Sequence, residues 1–431
     1  MQNDVSPSVH SLDSSTTTDQ LKHSSSSRSE SPTAALSRCV SSSHRATAAT
    51  IRRLVKANGA TLSLDEVRFV QKLGSGDIGS VYLVELKCAV GCMMAAKVMD
   101  KEELMSRDKE NRAKVELEIL EMLDHPFLPS LYASLEVDRW SCLLTEFCPG
   151  GDLHILRQRQ PDKRFDEAAV RFYASEVVVA LEYLHMMGII YRDLKPENIL
   201  VRSDGHIMLT DFDLCLRCND TTAPKLVQGQ DLAIISSPLM CTKSSLSSCI
   251  LPSCIKPKLS CFHHKRKRRP RPTNRPPFDI VAEPVEARSM SFVGTHEYLA
   301  PEVVSGEGHG NAVDWWTLGI FVYELFYGVT PFRGSDNEFT LTSILARGLQ
   351  FPKEPVSSMA MKDLITKLLN KDPAKRIGSM KGAPSIKNHP FFDGVNWALL
   401  RGASPPYVPK PVSFQDYVAQ SNHCDDHIDY Y

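Results

Sequence analysis

The sequence predicts an α+β chain of two lobes, an antiparallel sheet followed by a mainly helical unit that carries one long insertion. Three observations carry that prediction. From Val67 to Leu86 and again from Met93 to Met99, β-branched and apolar residues cluster around glycines, as in paired strands. Between Glu167 and His185, the residues Val170, Tyr173, Ala174, Val177, Leu181 and Leu184 fall on one helical stripe. From about 217 to 288, Ser, Pro, Cys and basic residues interrupt a globular sequence that resumes at Phe292.

Residues 1–66 are dominated by Ser and Thr, with a block at Ser24-Ser25-Ser26-Ser27, and are expected to form a disordered leader: they hold too little apolar surface to offset ordering entropy. With 50 basic and 51 acidic residues the formal charge is −1, which excludes a whole-chain field drawing the protein to nucleic acid or membrane. The 12 cysteines, Cys88, Cys142 and Cys148 among them, lie in apolar segments with no secretory leader ahead of them, the pattern of reduced intracellular thiols. No apolar run approaches the roughly 18–20 residues that cross a bilayer, so a soluble or peripherally attached protein is expected.

The first strand pair contains Leu73-Gly74-Ser75-Gly76-Asp77-Ile78-Gly79-Ser80-Val81, a G-x-G-x-x-G-x-V string. Its glycines let the backbone lie close over a triphosphate. The same spacing opens dinucleotide sites, but a helix follows there, whereas Val81-Tyr82-Leu83-Val84 continues as strand. Lys97, the one charge in Met94-Ala95-Ala96-Lys97-Val98-Met99, suits an ammonium that pairs with α- and β-phosphates and with a glutamate of the next helix. That helix is expected from about Lys101 to Leu123, and spacing favours Glu116 over Glu118 as the partner.

After the apolar helix, Tyr191-Arg192-Asp193-Leu194-Lys195-Pro196-Glu197-Asn198 puts a carboxylate, an ammonium and an amide in one short loop. Asp193 suits a group that accepts or orients a hydroxyl proton, Lys195 one that offsets charge growing on a γ-phosphate, and Asn198 a magnesium ligand. Asp211, after the strand-like Ile207-Met208-Leu209-Thr210, is the second expected ligand. Asp213 stands where the usual Asp-Phe-Gly has glycine; it should restrict the loop and add an oxygen near the metal. Gly294-Thr295-His296-Glu297-Tyr298-Leu299-Ala300-Pro301-Glu302 closes the segment. Glu302 is expected to pair with Arg376, and Asp314 to brace the catalytic loop through hydrogen bonds.

These strings resemble the protein kinases, over Val67 to Phe392, and within them the AGC group. Tyr191 in place of histidine, His125-Pro126-Phe127-Leu128, and Phe391-Phe392-Asp393-Gly394-Val395-Asn396-Trp397 carry that likeness. Asp211-Phe212-Asp213 with a long insertion resembles the plant AGC group VIII serine/threonine kinases. Gly76-Asp77-Ile78-Gly79, Arg157-Gln158-Arg159-Gln160-Pro161 and Ile199-Leu200-Val201-Arg202-Ser203-Asp204-Gly205-His206 are similar to its members that act in polar auxin transport. The resemblance implies a bilobal kinase fold, a kinase domain at 67–392 with a basic activation-segment insertion at 217–288, and an AGC tail at 393–431. It implies ATP and Mg2+ as cofactors and transfer of phosphate to Ser/Thr on the cytosolic loops of PIN auxin carriers. Thr145-Glu146-Phe147-Cys148 would be the hinge, its backbone reading adenine between Val81, Ala95 and Leu200. Asp152, Glu197 and Glu324 match acidic positions that bind substrate arginines, with ribose as the alternative for Asp152. Ser291, with Ser289 beside it, falls where the group takes an activating phosphate, which Arg192 would pair with. Ile428-Asp429-Tyr430-Tyr431 resembles a degenerate Phe-x-x-Phe motif that recruits the phosphoinositide-dependent upstream kinase; the alternative is a frayed tail.

Within the insertion, Lys265-Arg266-Lys267-Arg268-Arg269-Pro270-Arg271, then Arg275, form a cationic block. Three readings compete: a patch for anionic phospholipids, a nuclear import signal and a solvated loop. At about 1 kcal/mol per basic residue near an anionic leaflet, the block suits reversible attachment to the plasma membrane, and the resemblance favours that reading. A zinc group of Cys249, Cys254, Cys261 and His263 matches no standard ligand spacing. Two functions from other classes compete with the kinase reading. A scaffold with dead chemistry is opposed by the presence of Lys97, Asp193, Asn198 and Asp211, and a nucleic-acid binder by the lack of aromatic residues or any reading motif around the basic run. The expected assembly is a cytoplasmic monomer.

Overall fold

A computed structural model describes residues 62–89, 91–218, 225–228, 278–281, 283–284 and 289–411. The expectations for the leader up to residue 61, the basic run at Lys265–Arg271 with Arg275, the Cys249, Cys254, Cys261 and His263 group, and the Ile428–Tyr431 motif lie outside these residues.

Five strands form one antiparallel sheet, in the order β1-β2-β3-β5-β4: β1 (Val67–Ser75), β2 (Ser80–Leu86), β3 (Met93–Asp100), β4 (Leu131–Val137) and β5 (Trp140–Glu146). The two-residue period of a strand sorts the side chains of β3. Met94, Ala96 and Val98 are buried in a core belonging to the sheet, so Ala95 and Lys97 point the other way, into the cleft below. The sequence predicts one charged helix after β3; the structure has two, α1 (Lys101–Ser106) and α2 (Glu110–Met122). Asp108, with φ of 54°, adopts a left-handed conformation that a continuous helix does not admit. Asp100 caps α1, accepting from the Glu102 and Glu103 amides at 3.0 and 3.3 Å.

After the short α3 (Leu153–Gln158), the second lobe is built around α4 (Glu167–Met186) and α6 (Ala312–Tyr327). Asp166 caps α4 by accepting from the Ala169 amide at 2.8 Å, and the predicted stripe from Val170 to Leu184 is buried. Every residue of α6 is buried, and the helix stops at Gly328, whose φ of 79° suits glycine. Around them lie α5 (Pro301–Val304), α7 (Asn337–Ala346), α8 (Met359–Leu368) and α9 (Ala383–Lys387). Two small antiparallel pairs, β6 (Ile189–Ile190) with β9 (Leu216–Arg217) and β7 (Ile199–Val201) with β8 (Ile207–Leu209), present the loops that face the sheet.

The insertion does not leave the fold at residue 217 as expected. Arg217 is held in β9, and beyond it β10 (Lys225–Gln228) pairs antiparallel with β11 (Phe278–Val281). The chain therefore departs and returns as a two-stranded ribbon. The tail follows the second lobe: a Cβ on Gly205 would meet the Tyr407 carbonyl at 2.3 Å, and one on Gly150 would meet Pro409 at 2.8 Å. Among the described residues, no helix is long and apolar enough to cross a membrane, and Cys88, Cys92, Cys142, Cys148, Cys215 and Cys218 are free thiols.

Candidate active site

The cleft between sheet and helices is a cavity of about 470 Å³, within the range of small-ligand sites. Leu73, Gly74, Ser75, Gly76 and Val81 form its roof, Ala95 and Lys97 line the β3 side, and Thr145, Glu146 and Cys148 line the back. Asp152, Glu197, Asn198, Leu200 and Asp211 close it from below. Sequence reasoning missed Leu143, Met208 and Thr210, which also line it. Leu143 stands opposite Lys97 in the β3–β5 register, so strand pairing could have found it.

The glycine-rich string is divided. Asp77, Ile78, Gly79 and Ser80 do not line the cavity, contrary to expectation. Ile78 is buried in the main core, and Gly79 lies so close to β3 that a Cβ would meet the Val98 carbonyl at 2.4 Å. Asp77 turns to the helices and pairs with Arg107 at 2.7 Å and with Lys109 and Arg112. The bond from Lys109, and Arg112 beside it, outweigh burial and hold its carboxyl down at about 2.

Lys97 Nζ donates to Glu116 at 2.8 Å and to Asp211 Oδ1 at 2.9 Å. Burial opposes its charge, but Glu116, Asp211 and Asp213 outweigh burial and push the ammonium's pKa up. The alternative partner, Glu118, lies on the exposed side and pairs with Arg217 at 3.0 Å. Asp213 is not aimed at the cavity: its carboxylate takes Arg112 Nη2 at 2.5 Å. It is not among the residues with positive φ, so aspartate fits this backbone without strain.

Below the cleft, Asp193 Oδ2 accepts from Lys195 Nζ at 2.7 Å and from Asn198 Nδ2 at 2.8 Å. Burial pushes the Asp193 carboxyl above its ordinary range, against the pull of Lys195 and Asn198, which favours proton acceptance. Lys195 also donates to Thr295 Oγ1 at 3.1 Å. Arg192 and Asp211 hold φ of 68° and 63°, left-handed conformations costly for side chains of this kind and concentrated at functional sites. Asp314, fully buried, fixes the loop by accepting from the Tyr191 and Arg192 amides at 2.8 and 2.7 Å. Arg192 Nη1 donates to Ser289 and Ser291 at 3.1 and 2.9 Å.

Asn198 spends its amide nitrogen on Asp193 and so turns its carbonyl oxygen away as an acceptor. Together with Asp211, whose side chain is 32 % exposed, it supplies the hard oxygens that suit a divalent cation bound chiefly through phosphates. Burial raises the Asp211 carboxyl, but Lys97 and Lys195 outweigh it and hold it below the ordinary range, keeping it charged. The donor set fits a metal-bound nucleotide.

Glu302 and Arg376 form the expected pair, bidentate at 2.7 and 2.9 Å. Glu324 differs from expectation: it is buried against Arg157 at 2.8 Å and against the Tyr298 hydroxyl. Glu197, 48 % exposed and 3.0 Å from His154, is the carboxylate left at the rim. Asp152 lines the cavity and caps α3 through the Ile155 amide at 2.7 Å. Glu146 pairs with Arg202 at 2.9 Å, a partner that sequence reasoning missed.

A family model described as "Protein kinase domain" matches residues 67–231 and 278–392, so the interruption is shorter at both ends than the sequence suggests. A protein kinase of Oryza sativa subsp. indica is 52 % identical over 383 residues, covering 84 % of this chain and 64 % of the relative. Serine/threonine-protein kinase AGC1-5 of Arabidopsis thaliana is 52 % identical over 369 residues, covering 85 % and 63 %. Serine/threonine-protein kinase KIPK2 of Arabidopsis thaliana is 54 % identical over 377 residues, covering 82 % and 39 %. The chain thus spans less than two thirds of the length of each of these three relatives.

Proposed function

The chain belongs to the protein kinase domain family, among the plant AGC serine/threonine kinases, and from that premise we propose that it transfers the γ-phosphate of ATP to Ser or Thr in basic sequence contexts. One observation carries the reading: Asn198 and Asp211 line one cavity, Asp211 held by Lys97, while Asn198 and Lys195 hold Asp193 just below it. When bound, Mg2+ supplies charge neutralisation on the phosphates, with Asn198 and Asp211 as its protein ligands.

The chain's own residues divide the remaining work. Lys97, fixed by Glu116, neutralises the inner phosphates. Asp193 orients a substrate hydroxyl and accepts its proton, and Lys195 stays 2.7 Å from it to offset charge on the transferred group. Glu197, the exposed rim carboxylate, attracts a substrate arginine, with the Glu324 charge buried behind it. Phosphate on Ser291 would be paired by Arg192.

The finer reading is a PINOID-type kinase acting on PIN auxin carriers in polar auxin transport. It is supported by Asp211-Phe212-Asp213, by the insertion and by the strings around Gly76 and Arg157. In it the Lys265–Arg271 block holds a cytoplasmic monomer at the plasma membrane, and an upstream phosphoinositide-dependent kinase meets the carboxyl terminus. The test is transfer from labelled ATP with Mg2+ to an arginine-containing Ser peptide, beside Asp193→Asn. Transfer by the parent and not by the variant is expected; transfer by neither would overturn the kinase reading.

A further inference from the structure

Glu283 lies on the returning arm of the insertion, just past β11, and its side chain is only 3 % exposed. Its Oε2 accepts from Asn311 Nδ2 at 2.7 Å and bonds His185 Nδ1 at 2.8 Å. The floor of this socket is Gly382, with φ of 63°, where a Cβ would meet Glu283 Oε1 at 2.3 Å. No side chain larger than glycine fits there with Glu283 seated.

The other ring nitrogen of His185 bonds Asp314 Oδ2 at 2.8 Å, and both residues are fully buried. The same Asp314 carboxylate holds the amides of Tyr191 and Arg192, the two residues before Asp193. Carboxylate, imidazole and carboxylate thus form a continuous buried chain from the insertion to the catalytic loop. Burial alone would keep His185 neutral; Glu283 and Asp314 outweigh it and carry its pKa up to about 10.

We propose that Glu283 is a positioning residue: the returning arm of the insertion plugs a carboxylate into the helical lobe and, through His185, fixes the Asp314 side chain that aims Asp193. Without Glu283, His185 loses the partner that sets its tilt, and Asp314 loses a fixed donor while still holding two loop amides. Outer hydrogen bonds of this kind orient the groups that touch substrate. Seating of the insertion is therefore coupled to phosphoryl transfer, and less to nucleotide affinity, because the cleft residues Lys97 and Asp211 lie outside this chain of contacts.

The kinetic part of this inference rests on the phosphotransferase reading, whereas amide exchange tests it without any activity. In the full chain, Glu283→Ala is expected to lower kcat about tenfold or more with KM for ATP within about twofold, and Glu283→Gln to fall between. The Tyr191 and Arg192 amides should exchange about tenfold faster in Glu283→Ala. Gly382→Ala should reproduce the kcat loss by expelling the carboxylate, and should cost less kcat in the Glu283→Ala background, a coupling that plain backbone strain at Gly382 would not give. If Glu283→Ala only lowers Tm, leaving kcat and both amides as in the parent, the inference is overturned. Additive effects of the two substitutions would overturn it as well. Should Glu283→Ala not fold, Glu283→Gln decides by the same readouts. If the parent transfers no phosphate, the kinase reading falls and amide exchange alone decides this one.

Discussion

Removing Glu302 should cost the helical lobe a large share of its stability. Arg376 is fully buried and Glu302 nearly so, and the two carboxylate oxygens meet the guanidinium at 2.7 and 2.9 Å. Breaking a buried pair by deleting one partner costs about 3–5 kcal/mol, because the other charge is left uncompensated. In this lobe Arg376 keeps the Ala312 carbonyl at 2.8 Å, the Asn370 carbonyl at 3.0 Å and the face of Trp316 at 5.2 Å. Those contacts favour the lower end, about 3 kcal/mol, for Glu302→Ala. At roughly 2 °C per kcal/mol, the low end of what applies to large domains, Tm should fall by about 6 °C. Replacing both partners, Glu302→Leu with Arg376→Met, should recover most of the loss, since no buried charge remains. Thermal unfolding followed by tryptophan emission reads the right region, because Trp315 and Trp316 are buried on α6 beside the pair. A Glu302→Ala protein melting within about 1 °C of the parent would refute the argument, as would a double variant no more stable than the single one.

Lys97→Met removes the cation between Glu116 and Asp211; transfer from labelled ATP should fall at least about 10²-fold, and a variant within threefold of the parent would contradict the assignment. Ser291→Ala denies Arg192 a phosphate partner, and about tenfold lower activity is expected, equivalent to one hydrogen bond to a charged group of roughly 1.5 kcal/mol; full activity in the purified variant would sink the phosphosite reading. For pH, His185 has its pKa raised from 6.5 to about 10 in the fold. A raised histidine contributes stability that is complete below about pH 6.5 and is lost as pH climbs through about 10, on the order of 5 kcal/mol in all. Denaturant unfolding between pH 7 and 10.5 should therefore decline more steeply in the parent than in His185→Gln, and parallel curves would exclude the linkage.

The parts legible in the sequence are those whose chemistry is local or tied to a recognisable motif. Asp193, Lys195 and Asn198 lie within one turn of chain and meet one another because that loop is short. The Val170 to Leu184 stripe was readable because helical period and burial coincide. What could not be read are contacts between distant residues that no motif carries, whereas the Glu302–Arg376 pair and the Asp314 brace were expected from theirs. Glu283 meets His185 across 98 positions, and Arg157 meets Glu324 across 167; no periodicity links such pairs, and only packing decides them. Glu324 shows the cost: a carboxylate expected to meet a substrate arginine is buried against an arginine of its own chain. The helix break at Asp108 was missed for a related reason. Its flanks carry good helix formers, and the left-handed residue is fixed by the fold around it, not by propensity.

The two residues that depart from the usual phosphate-handling strings explain each other. Asp77 sits at the tip of the glycine-rich turn, where a carboxylate facing the phosphates would repel them, and Asp213 adds a second acid beside Asp211. Each alone breaks a local rule. In the fold both turn to the same side chain: Arg112 gives Nη1 to Asp77 and Nη2 to Asp213. Arg112 lies one helical turn before Glu116, the partner of Lys97, so the guanidinium and the Glu116 carboxylate project from one face of α2. That helix therefore contacts the roof of the cleft, the β3 lysine and the Asp211-Phe212-Asp213 segment at once. Two carboxylates that look unfavourable in isolation become the means by which three separate parts of the site are held to one helix, with Arg112 offsetting part of their negative charge.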